Sequence, residues 1–62
     1  MLYVILNLDT SQWVARFGSE RSYTKSLQSA QTFKSREAAE PHCCGNERIL
    51  SLEQAVGGPS LA

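Results

Sequence analysis

Apolar side chains alternate along the start of the chain, and this alternation predicts a β-strand over residues 2–8. One face of the strand carries Leu2, Val4, Leu6 and Leu8, and the other carries Tyr3, Ile5 and Asn7. The run is rich in β-branched and aromatic residues, which suit a pleated surface. Because both faces are partly apolar, we expect this to be a central strand.

A second strand is predicted over residues 13–17, since residues 9–12 favour a turn and Gly18 ends the apolar run. A four-residue loop over 9–12 gives an antiparallel register with three apolar pairs on one face. These pairs are Leu8 with Trp13, Leu6 with Ala15, and Val4 with Phe17. Val4 and Leu6 are then expected at the centre of the core.

The middle of the chain predicts shorter elements. A brief third strand fits residues 22–24, and a polar or single helical turn fits residues 25–30. Thr32 and Phe33 predict an extended piece that places Phe33 on the core. Ser35 is a favourable N-cap, so a helix is expected from residue 36. Pro41 makes this helix short or kinked.

The end of the chain predicts one more strand over residues 47–52, able to pair beside the first strand. Ser51 and Gln54 also fit a capping box, so a helical turn over residues 52–56 competes with a longer strand. The predicted class is α+β: a small antiparallel sheet, a hairpin or three-stranded meander plus a C-terminal strand, with one short helix on one face. Residues 1–56 form a single domain, and residues 57–62 a flexible tail.

The size of the chain limits its core. A domain of 62 residues buries only about 60% of its unfolded surface, so a homodimer would help to stabilise it. The adjacent Cys43 and Cys44 cannot close a useful disulfide loop. The apolar start lacks a basic n-region and Asp9 interrupts it, so we expect a cytoplasmic protein without a membrane partner.

The residues that could carry chemistry are few. His42, Cys43 and Cys44 form one crowded group without the second ligand pair of a zinc site. The expected arrangement is two small buried thiols and a surface histidine. Glu37 and Glu40 share a helix side and are expected to be solvated. We therefore predict no enzyme activity, no catalytic residue, no metal site and no cofactor.

Charge is unevenly distributed although the net charge is zero. Residues 10–36 hold five basic side chains against Glu20, whereas residues 37–62 hold four glutamates against Arg48. A basic face with an aromatic side chain could bind nucleic acid or a nucleotide, and this is the alternative function.

The outer face of the predicted hairpin is the main candidate for partner binding. Apolar and aromatic residues beside arginine are typical of protein interfaces. The predicted partner-binding residues are Tyr3, Ile5, Val14 and Arg16 on this face, with Arg21, Lys25, Lys34 and Arg36 as charged contacts. A homodimer could use the same face, whereas coverage by the helix or the last strand would close it.

Several segments together resemble a family of small proteins encoded by tailed phages and prophages. The similar stretches are YVI, WVARF, YTKSLQSAQTFKSREAAE and ILSLEQAV. The family segment T-x-x-L-x-x-A-x-x-F followed by S-x-E-A-A is matched by Thr24, Leu27, Ala30, Phe33, Ser35, Ala38 and Ala39. The chain departs from the family at residues 41–44, where a longer helix would continue.

This resemblance implies a phage accessory protein in the host cytoplasm. Such proteins commonly bind a host protein or complex, including components of host defence, and modulate it. The resemblance supplies no catalytic residue. It also leaves open that the chain is a small subunit, active only within a complex.

Overall fold

The computed structural model describes residues 2–57, and its centre is an antiparallel sheet of four strands. The strands are β1 (Tyr3–Asn7), β2 (Gln12–Val14), β3 (Tyr23–Thr24) and β4 (Glu47–Ser51). Their order across the sheet is β3-β2-β1-β4, so β1 is a central strand and β4 lies beside it, as the sequence predicts. The α+β class is confirmed.

The remaining elements lie on the two faces of the sheet. Helix α1 covers Arg36–Ala39 and continues into a 3-10 turn over Glu40–His42, and helix α2 covers Leu52–Gly57. A second 3-10 turn covers Leu27–Ser29. Within residues 2–57, the helices are too short to cross a lipid bilayer. The predicted tail begins at Gly57, which ends α2, and residues 58–62 lie outside the described part of the chain.

The predicted hairpin register is wrong by two residues. Leu6 pairs with Trp13 and Asn7 with Gln12, because the four-residue loop occupies residues 8–11 and not 9–12. The side chain of Asn7 fixes this loop: its Oδ1 accepts hydrogen bonds from the backbone nitrogens of Asp9 at 2.9 Å and Thr10 at 3.1 Å. A shift of two keeps Val4, Leu6 and Trp13 on their predicted face, since side chains alternate with period two. Phe17 lies beyond the end of β2 and leaves that face, because it contacts Phe33 and His42 on the α1 side.

Strands β1 and β2 separate beyond these two pairs, and the segment over residues 30–33 fills the gap. The backbone of Phe33 exchanges hydrogen bonds of 2.8 and 2.9 Å with Tyr3 on β1. On its other side the segment bonds to β2, where Gln31 N donates to Val14 O at 2.9 Å. Phe33 is buried, which confirms that this extended piece places it on the core.

One face of the sheet packs against α2 and the Leu27–Ser29 turn. Val4, Leu6 and Trp13 form the sheet side of this core, as predicted. Helix α2 begins with the capping box: Gln54 N donates to Ser51 Oγ at 3.2 Å, and Ser51 N donates to Gln54 Oε1 at 3.1 Å. The expectation of a single helix is thus corrected, because α2 follows β4 directly and covers this face.

The other face packs against α1 and Phe33. Ser35 is the N-cap, and its Oγ accepts a hydrogen bond from Ala38 N at 3.1 Å, while Pro41 lies in the 3-10 turn that follows the short helix. Ile5 is 0% exposed because it packs with Phe33 and Ala39. The prediction of an open outer face is therefore wrong: the chain's own helix covers its centre.

Candidate functional site

A groove of about 310 Å³ opens on the α1 side of the sheet, between the turn after β2 and the loop before β4. We call it the Phe17 groove. The lining residues include the apolar and aromatic side chains of Val14, Phe17 and Tyr23, the basic residues Arg16 and Arg21, and also His42, Cys44 and Glu47. The groove thus combines an accessible aromatic ring with two exposed arginine residues.

Phe17 is held in place by two neighbouring rings. Its centroid lies 6.0 Å from that of Phe33, in an edge-to-face arrangement, and 5.0 Å from that of His42. The rings of Phe33 and His42 are stacked at 5.5 Å. Aromatic pairs of this kind contribute about 0.5–1.5 kcal/mol each beyond area burial. Phe17 nevertheless remains 54% exposed, so an oriented aromatic surface faces the solvent.

The turn that follows Phe17 brings the arginines to the groove. Gly18 has a φ of 91°, a left-handed conformation that glycine adopts without the steric cost of a Cβ atom. Ser19 N donates to Arg16 O at 3.1 Å, and Ser19 Oγ donates to Arg21 O at 2.9 Å. The Arg16 guanidinium donates to Gln28 O at 3.2 Å. Local hydrogen bonds therefore fix the backbone from which both arginines project.

Glu47 lies at the inner end of the groove and is buried. Its Oε2 accepts a hydrogen bond of 2.5 Å from the Tyr23 hydroxyl, and its Oε1 accepts one of 2.9 Å from Cys44 N. The bond to the carboxylate raises the pKa of Tyr23 above its usual value, because it stabilises the protonated phenol. Both carboxylate oxygens are engaged within the fold, which suits a structural role.

The two cysteines differ in exposure. Cys43 is half-buried against the α1 core, and burial raises the pKa of its thiol, with Glu47 contributing further. Cys44 is exposed and lines the groove, so the expectation of two buried thiols is wrong for Cys44. Within residues 2–57, no three His, Cys, Asp or Glu side chains are placed to share a metal ion.

The structure separates the predicted partner-binding residues. Val14, Arg16 and Arg21 line the Phe17 groove. Arg36 instead lies over the Tyr3 ring, 5.5 Å from its centroid, near the edge of β4. Ile5 is fully buried and cannot contact a partner in this fold. Lys25 and Lys34 are exposed.

Several groove residues are absent from the predicted partner-binding set, and they include Phe17, Tyr23, His42, Cys44 and Glu47. The predicted register placed Phe17 inside the sheet opposite Val4, whereas the observed loop leaves both Leu8 and Phe17 54% exposed. The signal that could have identified Phe17 is its position directly before Gly18-Ser19, where the chain leaves the sheet to turn.

Comparisons with known proteins add no relatives to this description. No protein-family model matches the sequence, and neither the curated proteins nor the solved structures contain a match. The function of the groove is therefore argued from its own geometry.

Proposed function

We propose that this chain acts by binding a protein partner through the Phe17 groove and that it catalyses no reaction. The observation that carries the proposal is the state of Phe17, which is 54% exposed and yet oriented by contacts with Phe33 and His42. Aromatic side chains and arginines supply much of the binding energy in protein interfaces. A ring that is already fixed loses little conformational entropy when a partner covers it.

The charges around the ring favour a particular kind of partner. Arg16 and Arg21 line the groove and are exposed, whereas the negative charge of Glu47 is buried and hydrogen-bonded. The accessible charge beside the apolar ring is therefore basic, with Arg21 in the groove and Arg16 at the point where its guanidinium reaches toward Gln28. The partner would present an apolar side chain flanked by carboxylates, which can accept paired hydrogen bonds from guanidinium groups.

The states of the titratable groups in and beside the groove favour a binding function over a catalytic one. Glu47 has no oxygen without a partner, and the raised pKa of Tyr23 keeps its phenol protonated at neutral pH. Cys43 lies next to the groove residue Cys44 and does not line the groove itself, and the raised pKa of its thiol keeps it protonated as well. A general base or a nucleophile needs the opposite, a free carboxylate or a thiolate. These groups stabilise the groove and leave recognition to Phe17 and the arginines.

The resemblance to small tailed-phage proteins gives this proposal its biological context. In that context the partner is a host protein or complex in the host cytoplasm, and binding modulates it, for example as an inhibitor of host defence. Arg16 and Arg21 serve as charged contacts in this role. Ile5 is not part of the proposed binding surface, because the fold buries its side chain.

A capture experiment with matched variants tests the proposal. The wild-type chain and the variants Phe17→Ser and Arg21→Glu are immobilised and incubated with host lysate, and bound proteins are identified by mass spectrometry. Leu8→Ser is the control, because Leu8 is also 54% exposed but does not line the groove. We expect a protein retained by wild type and by Leu8→Ser and lost with both groove variants. Equal retention by all four chains would refute the proposal.

Nucleic acid is the second candidate, and the same exposed ring supports it. Bases stack on aromatic side chains, and Arg16 and Arg21 could contact the phosphates. Fluorescence anisotropy with labelled single-stranded DNA and RNA tests this idea at increasing salt. Binding that weakens steeply with salt and requires Phe17 would favour nucleic acid over a protein partner. An absence of binding at low salt would exclude it.

A further inference from the structure

A second groove lies on the opposite face of the sheet, between α2 and the segment that contains the Leu27–Ser29 turn. Its volume is about 640 Å³, twice that of the Phe17 groove. Trp13 and Ala30 are buried residues of its lining, and Leu27 and Leu52 are half-buried. Val56 lines the groove from α2 and is 73% exposed, the highest value among the large apolar residues of the described range 2–57. Val56 therefore forms an exposed apolar ridge on α2, directly beside this apolar groove.

One charge of each sign accompanies this ridge and groove. Arg16 lines the groove, and Glu53 lies next to Val56 and Leu52 on the outer side of α2. Both side chains are exposed. This surface carries an apolar side chain, an apolar groove and two charges of opposite sign, so a second copy related by a two-fold axis could pair each feature with its opposite. Self-complementarity is the requirement for a two-fold symmetric interface, in which each patch meets its own copy.

We propose that this face binds a second copy of the chain and forms a symmetric homodimer. Val56 of each copy packs into the groove of the other, above Trp13, and Glu53 of each copy faces Arg16 of the other. Because the net charge of the chain is zero, electrostatic repulsion between two copies is small. Covering Val56 and Leu52 also adds apolar burial to a domain whose own core is small.

Association through the edge of β4 is the competing geometry, and the structure disfavours it. Three backbone groups on the free edge of β4 already have partners within the chain. Glu47 N donates to Cys44 O at 3.0 Å, and Ser51 N donates to Gln54 Oε1 at 3.1 Å. Ile49 O accepts a hydrogen bond from the Arg36 guanidinium at 3.5 Å. A second sheet would have to break these bonds before it could pair.

Sedimentation equilibrium over a range of protein concentrations tests the homodimer. We expect wild type to dimerise and Val56→Lys to raise the dissociation constant by on the order of tenfold to a hundredfold, as for a central interface residue. Lysine is chosen because a cation suits the last turn of a helix. The fluorescence of Trp13 should change with concentration in wild type and not in Val56→Lys. A wild-type chain that stays monomeric at all concentrations would overturn the proposal.

A charge-reversal experiment tests the pairing of Glu53 with Arg16, because misfolded variants would not associate again when they are mixed. Glu53→Arg and Arg16→Glu should each weaken self-association, because like charges then face each other. An equimolar mixture of the two variants should dimerise again, since each pair at the mixed interface regains opposite signs. Failure of the mixture to associate, with both variants folded by circular dichroism, would overturn the proposed pairing.

The dimer and the proposed partner-binding function can fail separately. Phe17→Ser should leave self-association unchanged, and Val56→Lys should leave capture through the Phe17 groove unchanged. If Val56→Lys abolishes capture of another protein while wild type stays monomeric, the second groove binds that protein and the homodimer is wrong.

Discussion

The hydroxyl of Tyr23 donates a hydrogen bond of 2.5 Å to Oε2 of Glu47, and this bond connects the two edge strands of the sheet. Tyr23 lies on β3 and Glu47 on β4, so the bond passes over the two strands between them. Because Glu47 is buried, the bond also satisfies a carboxylate that has lost most of its water. Both residues line the Phe17 groove, so this hydrogen bond is part of its wall.

Removing this hydroxyl should destabilise the protein. Tyr23→Phe leaves Glu47 Oε2 without its partner, and we expect the free energy of unfolding to fall by about 1–3 kcal/mol, the usual range for a lost hydrogen bond to a buried charged group. Urea denaturation measures the change. Tyr3→Phe is the matched control, since Tyr3 lies on the same face at the other end of β1. Equal losses in the two variants would show that the contact contributes little.

The same contact predicts a loss of stability in alkali. The pKa of Tyr23 is raised in the folded state, so the fold binds this proton more tightly than the unfolded chain does. The resulting stabilisation is complete below the unfolded value of about 10 and is lost as the pH rises through the folded value. The difference in unfolding free energy between wild type and Tyr23→Phe should therefore shrink above about pH 10. A constant difference across that range would contradict this prediction.

The two serines that precede helical turns should respond differently to the same substitution. Ser35 accepts a hydrogen bond from Ala38 N, and Ser35→Ala should cost about 1 kcal/mol because this N–H loses its partner. Ser26 precedes the Leu27–Ser29 turn without a side-chain capping bond. Ser26→Ala should accordingly change stability by less than about 0.5 kcal/mol. Thermal unfolding of both variants measures the contrast, and a larger loss for Ser26→Ala would argue against the observed cap.

Substitution of Ile5 tests whether α1 covers this face of the sheet or leaves it exposed. In this fold Ile5→Ala creates a cavity beneath α1 and should cost about 2–5 kcal/mol, a large part of the stability of a domain this size. Leu8→Ala, at a position that is 54% exposed, should change stability by about 0.5 kcal/mol or less. Chemical denaturation distinguishes the two. A mild effect of Ile5→Ala would indicate that α1 does not cover the sheet.

Most of the fold follows from local signals in the sequence. Alternation predicts β1, the capping residues Ser35 and Ser51 mark both helix starts, and Pro41 explains why α1 is short. The register could not be predicted, because residues 8–12 could form several other turns. The turn that is observed depends on the hydrogen bonds that Asn7 Oδ1 accepts from the loop backbone. A shift of two conserves the faces, so the hydrophobic pattern cannot distinguish the two registers.

The candidate site was less predictable than the fold. Arg16, Arg21 and Val14 were expected at a binding surface and do line the groove. Its central ring was missed, since the exposure of Phe17 depends on the register and its support depends on His42, which is 25 residues away in the sequence. Contacts between distant segments have no local sequence signal.

The unequal pairing of β1 has a consequence for how the chain reaches its native state during synthesis. β1 forms five residue pairs with β4 but only two with β2, so the partners of β1 in its principal neighbour are translated 40 to 48 residues after it. A nascent chain that stops short of residue 47 holds an apolar strand with little to cover it. We expect such a chain to remain unfolded on the ribosome and to acquire its structure in one step once β4 has emerged.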